Sequence, residues 1–334
     1  MQHQQVARLA DIAAQAGVSE ATASRVMNGK PGVAATTRQK VLAALDVLGY
    51  ERPLRLRHRS AGQIGLITPE LSNPIFPAFA QIVEQNLTGC GYTAVLCTQH
   101  PGGATEDELV EALAERGVMG IVFLSGLHAD LNSDPERYAR LIGRGVPYVL
   151  INGYNPAVAG PFVSPDDRAS ARIAVQHLLD LGHERIGLAV GPNRFVPVRR
   201  KVEGFQAALG DDAPVQHTLF SVEGGHAAAI ALLDQGCTGI VCGSDLMALG
   251  AIRAVRERGL TVPADVSVVG YDDSPLVAFT DPPLTTVRQP VEAMGAAAVN
   301  ALLEEIGGNP VQRSEFVFQT ELVVRGSTAQ VRPR

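Results

Sequence analysis

The sequence predicts a small all-α module followed by a large α/β region built on doubly wound parallel sheets. Three observations carry this. The chain of 334 residues is too long for one ordinary core. Apolar residues recur at helical spacing through residues 9–48. Beyond residue 62, short apolar runs alternate with amphipathic helical segments, the pattern of strands covered by helices on both faces.

Composition narrows the class. Apolar residues make up 46% and charged residues 19%, which is a folded rather than a disordered chain. No run approaches the roughly 20 apolar residues of a membrane helix. The opening stretch Met1-Gln2-His3-Gln4-Gln5 is polar, with no apolar segment behind it. Both features predict a cytoplasmic protein with no membrane partner. Cys90, Cys97, Cys237 and Cys242 form no C-x-x-C pair and are expected to be buried thiols, with no metal and no cofactor. The net charge of −6 is unevenly spread. Residues 1–60 hold nine Lys/Arg against four acids, so +5 sits on the first module and −11 on the rest. A basic module on an acidic body suits attraction to phosphates.

Within the module, Leu9, Ile12, Ala13 and Ala16 mark a first short helix, with Asp11 favourably placed in its first turn. Gly17 permits the left-handed turn that follows. Ser19 offers an N-cap for a second helix, Glu20 to Met27, closed by Asn28-Gly29. A third helix is expected from about Thr36 to Leu48, with Val41, Leu42, Leu45 and Leu48 apolar. Two short helices joined by Gly17-Val18-Ser19 and braced by a third make a helix-turn-helix, whose second helix enters the major groove. Glu20, Ala21 and Arg25 are then placed at base edges, and Ala21 and Arg25 share a face. Arg25 has the geometry to hold a guanine bidentately. Thr22, Ser24 and Asn28, with the cap Ser19, suit phosphates. The competing reading is a plain three-helix bundle; the charge asymmetry and the tight turn argue against it.

Leu9-Ala10-Asp11-Ile12-Ala13, Ala16-Gly17-Val18-Ser19, Thr22-Ala23-Ser24-Arg25-Val26-Met27-Asn28 and Thr37-Arg38 resemble the headpiece of the LacI/GalR regulators. Ala23 replaces the usual valine. Ala34 stands where the family usually caps the third helix with a serine, so Thr36 is expected to cap instead. In that family, residues corresponding to 53–61 form a hinge that becomes helical on DNA and wedges a leucine into the minor groove. The resemblance implies Leu56 as the wedge, with Leu54 second, and Arg55, Arg57 and Arg59 at phosphates. An ordinary basic linker is the alternative.

Strands are expected at Ile64–Thr68, Thr93–Cys97, Gly120–Leu124, Pro147–Ile151, Arg185–Val190, Gly239–Cys242 and Val266–Gly270. Helices are expected at Pro77–Gly89, Glu106–Arg116, Ala169–Leu181 and Met247–Arg258, and a ligand cleft near the strand carboxyl ends. Asn73-Pro74-Ile75-Phe76, Leu181-Gly182-His183, Ser244-Asp245, Gly270-Tyr271-Asp272-Asp273, Thr286-Val287-Arg288-Gln289-Pro290 and Leu322-Val323-Val324-Arg325 extend the resemblance. It implies a two-lobed, periplasmic-binding-protein-like domain with three crossovers. The expected organisation is a headpiece at 1–52, a hinge at 53–61, and a ligand-binding and dimerisation domain at 62–334. Its first lobe spans about 62–162 and 290–319, its second about 163–289 and 320–334.

Asp272 follows an apolar strand, which places its carboxylate at the cleft, and it matches the family's ligand-binding aspartate, with a turn cap as the alternative. The resemblance also places Asn152, Ser244 and Lys201 in the site. Lys201 replaces a frequent arginine, at a loss of bidentate geometry. Phe76 and Phe220 match aromatic positions lining the cleft, with plain core packing as the alternative. Asp245 and Asp273 are expected to be caps, and His183 structural. No G-x-S-x-G, Walker loop or H-E-x-x-H is present, so no enzyme is predicted.

Together these features predict a homodimeric regulator, most often a repressor in this family, that binds a double-stranded DNA operator under control of a small-molecule effector. Segments 101–109, 125–130 and 194–197 resemble the maltose-type repressors, which implies a sugar such as a malto-oligosaccharide. A purine effector and a sugar receptor without DNA binding are the alternatives.

Overall fold

The computed structural model describes residues 9–30, 32–50, 60–99 and 102–331. The chain divides into two compact units, residues 1–61 and 62–334. The hinge residues Arg55, Leu56 and Arg57 lie outside the described residues, as do Arg52, Leu54 and Arg59.

The first unit contains α1 (Leu9–Ala16), α2 (Glu20–Met27) and α3 (Ala35–Val47). Ile12, Ala13, Ala16, Ala23, Val26, Val41, Ala44 and Leu45 form its core. Burying a side chain such as Leu45 contributes about 1.5–3 kcal/mol, so this small core rests on a handful of residues. Gly17 turns the chain at φ +64°, and Val18 N–H donates to Ala13 O at 3.0 Å. Ser19 caps α2, its Oγ accepting from Thr22 N–H at 3.2 Å. The third helix differs from expectation. It begins at Ala35 with Ala34 at the cap and no side-chain bond there, and Thr36 sits inside the first turn. Thr36 therefore does not cap, and the missing cap costs about 1 kcal/mol.

The second unit holds two six-stranded sheets. The first takes β1 (Gln63–Thr68), β2 (Thr93–Thr98), β3 (Gly120–Leu124), β4 (Tyr148–Ile151) and β5 (Phe162–Pro165). Between them lie α4 (Ile75–Gly89), α5 (Glu106–Glu115) and α6 (Glu136–Gly143). All of β3 is buried, which is why Gly-Ile-Val-Phe-Leu reads as a continuous apolar run rather than an alternation. The start of α5 is fixed by a capping box, with Thr105 and Glu108 each bonding the other's backbone N–H.

The chain then crosses to the second sheet through α7 (Asp167–Asp180), followed by β6 (Ile186–Val190), α8 (Val196–Leu209), β7 (Val215–His217) and α9 (Val222–Asp234). β8 (Gly239–Cys242), α10 (Asp245–Glu257), β9 (Ser267–Asp272) and β10 (Thr285–Arg288) complete this stretch. It returns through α11 (Val291–Ile306), which packs with α4 through Met294, Ala298 and Val299 against Phe79, Val83 and Leu87. β11 (Glu315–Phe318) joins the first sheet and β12 (Glu321–Val323) the second. The strand orders are β11-β5-β4-β3-β1-β2 and β12-β10-β9-β8-β6-β7.

The first sheet is wholly parallel, but β12 runs antiparallel to β10. The first sheet also keeps Phe162–Pro165, so the chain leaves it only after 165. Cys237 and Cys242 are buried, but Cys90 is exposed at the end of α4 and Cys97 half-buried, against the expectation of four buried thiols. Among the described residues, no helix is long and apolar enough to cross a membrane.

Candidate functional site

On the first unit, Ala23 and Val26 turn α2 inward, and the opposite face carries the residues singled out in the sequence. Ser19, Glu20, Ala21, Arg25 and Asn28 are exposed, and Thr22 and Ser24 half-buried. Ser19 Oγ lies 2.9 Å from Thr22 Oγ1, and Asn28 Nδ2 donates to Ser24 Oγ at 3.3 Å. These bonds hold short polar side chains along one helix surface, beside the N-terminal end whose free N–H groups favour anions.

In the second unit, a cavity of about 250 Å³ opens between the two sheets. All six residues picked from the sequence line it: Phe76, Asn152, Lys201, Phe220, Ser244 and Asp272. Strand ends supply the polar ones. Asn152 follows β4, Ser244 follows β8, and Asp272 is the last residue of β9.

The backbone there is strained. Among the described residues, the non-glycines with positive φ are Ser125 (+48°), Asn152 (+69°), Asp272 (+119°) and Asp273 (+57°). Three of the four line this cavity and the fourth adjoins it. Each such residue costs of order 1–3 kcal/mol and persists only when its surroundings enforce it. The enforcing bonds are present. Asn152 Nδ2 donates to Ser125 Oγ at 2.8 Å. Gln289 Nε2 donates to Asp272 Oδ1 at 2.7 Å.

Two expected caps have other work. Asp273 pairs with Arg288 at 2.7 Å and Arg325 at 2.6 Å and caps nothing. Asp245 accepts from Thr286 Oγ1 at 2.6 Å, Ser274 N–H at 2.7 Å and Ser274 Oγ at 2.8 Å, which fixes the turn after β9. The cap of α10 is Ser244, whose Oγ accepts from Met247 N–H at 3.3 Å. His183, placed as structural, is buried and bonded to Thr238 Oγ1 at 3.0 Å.

Lys201 is buried and already engaged. Its Nζ pairs with the Asp167 carboxylate and sits 3.8 Å from the Tyr271 ring centroid, while Tyr271 OH donates to Asp167 Oδ1 at 3.3 Å. The cavity's cation is thus neutralised from within the protein. Burial pushes the Asp272 carboxyl well above the usual carboxylate range, and the neighbouring Asp245 adds to the rise. Burial also raises Asp245 and Asp167, the latter opposed by Lys201.

The aromatic wall is larger than the sequence suggested. Phe79 and Phe195 line the cavity alongside Phe76 and Phe220, and the Phe195 and Phe220 centroids lie 5.9 Å apart. The Phe220 ring lies on Gly191, where an added Cβ would come within 2.1 Å of it. Gln289 was also missed; its place directly after β10, inside a motif quoted for the family, was the available signal. Asn152 Oδ1 and Gln289 Oε1 are buried without a hydrogen-bond partner. Among the described residues, no cluster of three or more His, Cys, Asp or Glu is arranged to hold a metal ion.

A helix-turn-helix module followed by a two-lobed α/β domain with a lined interlobe cavity defines a DNA-binding regulator. Residues 8–52 match the bacterial regulatory proteins of the lacI family, and residues 175–328 match the periplasmic binding protein-like domain. A transcriptional regulator from the aml 5' region of Streptomyces limosus is 75% identical, covering 97% of this chain and 95% of its own. MalR of Streptomyces coelicolor is 68% identical over 96% of both chains. Among solved structures, a CelR–cellobiose complex has TM-score 0.71 at 34% identity, covering 96% of this chain and all of that one. The lac repressor dimer bound to operator and the anti-inducer ONPF has TM-score 0.70 at 28% identity, covering 97% and 100%. The chain belongs to the lacI family of bacterial regulatory proteins, and it is a DNA-binding transcriptional regulator.

Proposed function

We propose that this regulator is a homodimeric repressor whose operator affinity is set by a neutral sugar, such as a malto-oligosaccharide, bound in the interlobe cavity. The observation that carries this is a cavity that sets the strand-end polar residues Asn152, Ser244 and Asp272 against aromatic faces. Short polar groups of this kind pair with sugar hydroxyls and fix the orientation of a ring. Phe76 and Phe220 offer surfaces for the C–H faces of a ring. Lys201, held by Asp167, leaves little for a phosphate or carboxylate to pair with. One structural relative is a complex with cellobiose, itself a neutral disaccharide.

On DNA, Arg25, Glu20 and Ala21 meet base edges, and Ser19, Thr22, Ser24 and Asn28 meet phosphates. Arg55, Leu56 and Arg57 belong to the hinge contact. The protein acts in the cytoplasm, where its operator lies.

A thermal-shift screen tests the effector. A ligand specific to the folded state stabilises by about 2.7 kcal/mol at a hundredfold excess over its Kd. Maltose or maltotriose is expected to raise Tm. A rise with adenine or hypoxanthine alone would replace the sugar with a purine.

A further inference from the structure

Two of the segments set apart in the sequence, 125–130 and 194–197, contribute to the cavity wall, and Glu106 of the third bonds to that wall from behind. Glu106, at the start of α5, is buried, with 1% of its surface exposed. Its carboxylate accepts from Tyr138 OH at 2.7 Å, Leu127 N–H at 2.8 Å and Gln99 Nε2 at 3.2 Å. Leu127 and Gln99 both line the cavity, so this one carboxylate fixes two pieces of its wall.

Beyond Leu127 the same segment leaves the first lobe and reaches the second. Asp130 accepts from Arg194 Nε at 2.7 Å. Leu131 N–H donates to Arg194 O at 2.9 Å, and Asp130 and Phe195 form an antiparallel bridge. Arg194 lies 4.7 Å from the ring centroid of Phe195, itself part of the cavity wall. Side-chain and backbone bonds thus join the two lobes beside the ligand space. The ion pair alone would be weak, because Arg194 is 47% exposed. Combined with the backbone bond and the buried anchor, it ties down a segment rather than a lone side chain.

We infer that residues 127–131 and 194–195 form a clasp across the ligand cavity, anchored by Glu106 and fastened by Asp130 and Arg194, which governs how fast the ligand enters and leaves. Passage of a ligand requires the two segments of the clasp to part, breaking the Leu131–Arg194 and Asp130–Arg194 bonds together. Arg194 is therefore a positioning residue: it holds the wall and does not itself line the cavity. The ligand half of the inference rests on the sugar reading above; the clasp itself does not.

The test uses the full-length protein with Arg194→Ala and Arg194→Lys. Hydrogen exchange by mass spectrometry, on peptides spanning 127–133, reads clasp opening without any ligand. Maltotriose dissociation by stopped flow reads its consequence. Arg194→Ala should speed exchange at Leu131 about tenfold, with exchange in the core strands unchanged. It should speed maltotriose release about fivefold, and Arg194→Lys should restore most of both. Unchanged exchange at Leu131 would overturn the clasp, as would faster exchange throughout the chain. Faster exchange with unchanged release would overturn its control of the ligand. If maltotriose fails to bind the wild type, the sugar reading falls, and the exchange experiment still decides the clasp.

Discussion

Gln289 donates from Nε2 to Asp272 Oδ1 at 2.7 Å, and its own Oε1 lies buried with no partner. The amide is oriented by the Asp272 carboxyl group, so the unpartnered oxygen is a consequence of Asp272. Removing Asp272 would take away the proposed ligand contact and free Gln289 to turn. Hydrogen bonds of this kind contribute roughly 1–3 kcal/mol each. Asp272→Ala is expected to weaken maltotriose binding at least about tenfold in calorimetry. Operator binding by the unliganded variant should remain near wild type. Unaltered sugar affinity would move the anchor elsewhere.

Arg25 is exposed on α2, one turn from Ala21. Arg25→Ala should cost about 1–3 kcal/mol of operator affinity and relax the base preference at one position of each half-site. A binding titration against point-substituted duplexes measures both. Weaker binding with the same sequence preference would reassign Arg25 to the phosphates.

Two headpieces on one pseudo-palindromic site raise affinity without new contacts. Sedimentation at micromolar concentration should show a dimer. A monomer both with and without operator DNA contradicts the proposed assembly.

His128 gives a pH prediction. It is buried among Tyr138 and Phe162, its Nε2–H donates to Ile151 O at 3.2 Å, and burial holds its pKa down at about 4. Unfolded, the ring takes a proton near pH ~6.5. Between those values the unfolded chain binds one more proton, so stability falls with acidification by about 1.4 kcal/mol per pH unit. Over the whole window the loss is roughly 3 kcal/mol. The raised carboxyls Asp272, Asp245, Asp167 and Glu106 act in the opposite sense, gaining stability as pH falls. The comparison is therefore with His128→Gln. Urea unfolding between pH 7 and pH 4.5 should show the wild type losing stability faster than this variant. Parallel pH profiles would mean that His128 titrates normally in the folded protein.

Much of this was legible in the sequence where local signals agree. Ser19, Gly17 and the 20–27 helix are dictated by cap, turn and period together, and the structure repeats them. Fully buried strands such as Gly120–Leu124 and Gly239–Cys242 announce themselves as unbroken apolar runs. Other elements gave weaker signals. β12, only three residues long, is held as an edge strand by pairing with β10. α9 carries Gly224 and Gly225, whose propensity argues against a helix until α10 packs on it. In the cavity, residues at strand ends were readable because position along the chain predicts them. The Asp245–Ser274–Thr286 cluster, the Lys201–Asp167 pair and the Asp130–Arg194 clasp were not. Their partners are separated by 29 to 64 residues and meet only in the folded domain.

The central claim is that a ligand at Asp272 controls DNA binding, and one titration tests it most directly. Full-length wild type and Asp272→Ala are each titrated against an operator duplex, with and without saturating maltotriose. Coupling of this kind typically amounts to about 1–3 kcal/mol. The sugar should shift the wild-type operator Kd by about tenfold and leave the Asp272→Ala Kd within about twofold. An unmoved wild-type Kd, or an equal shift in the variant, would contradict the account.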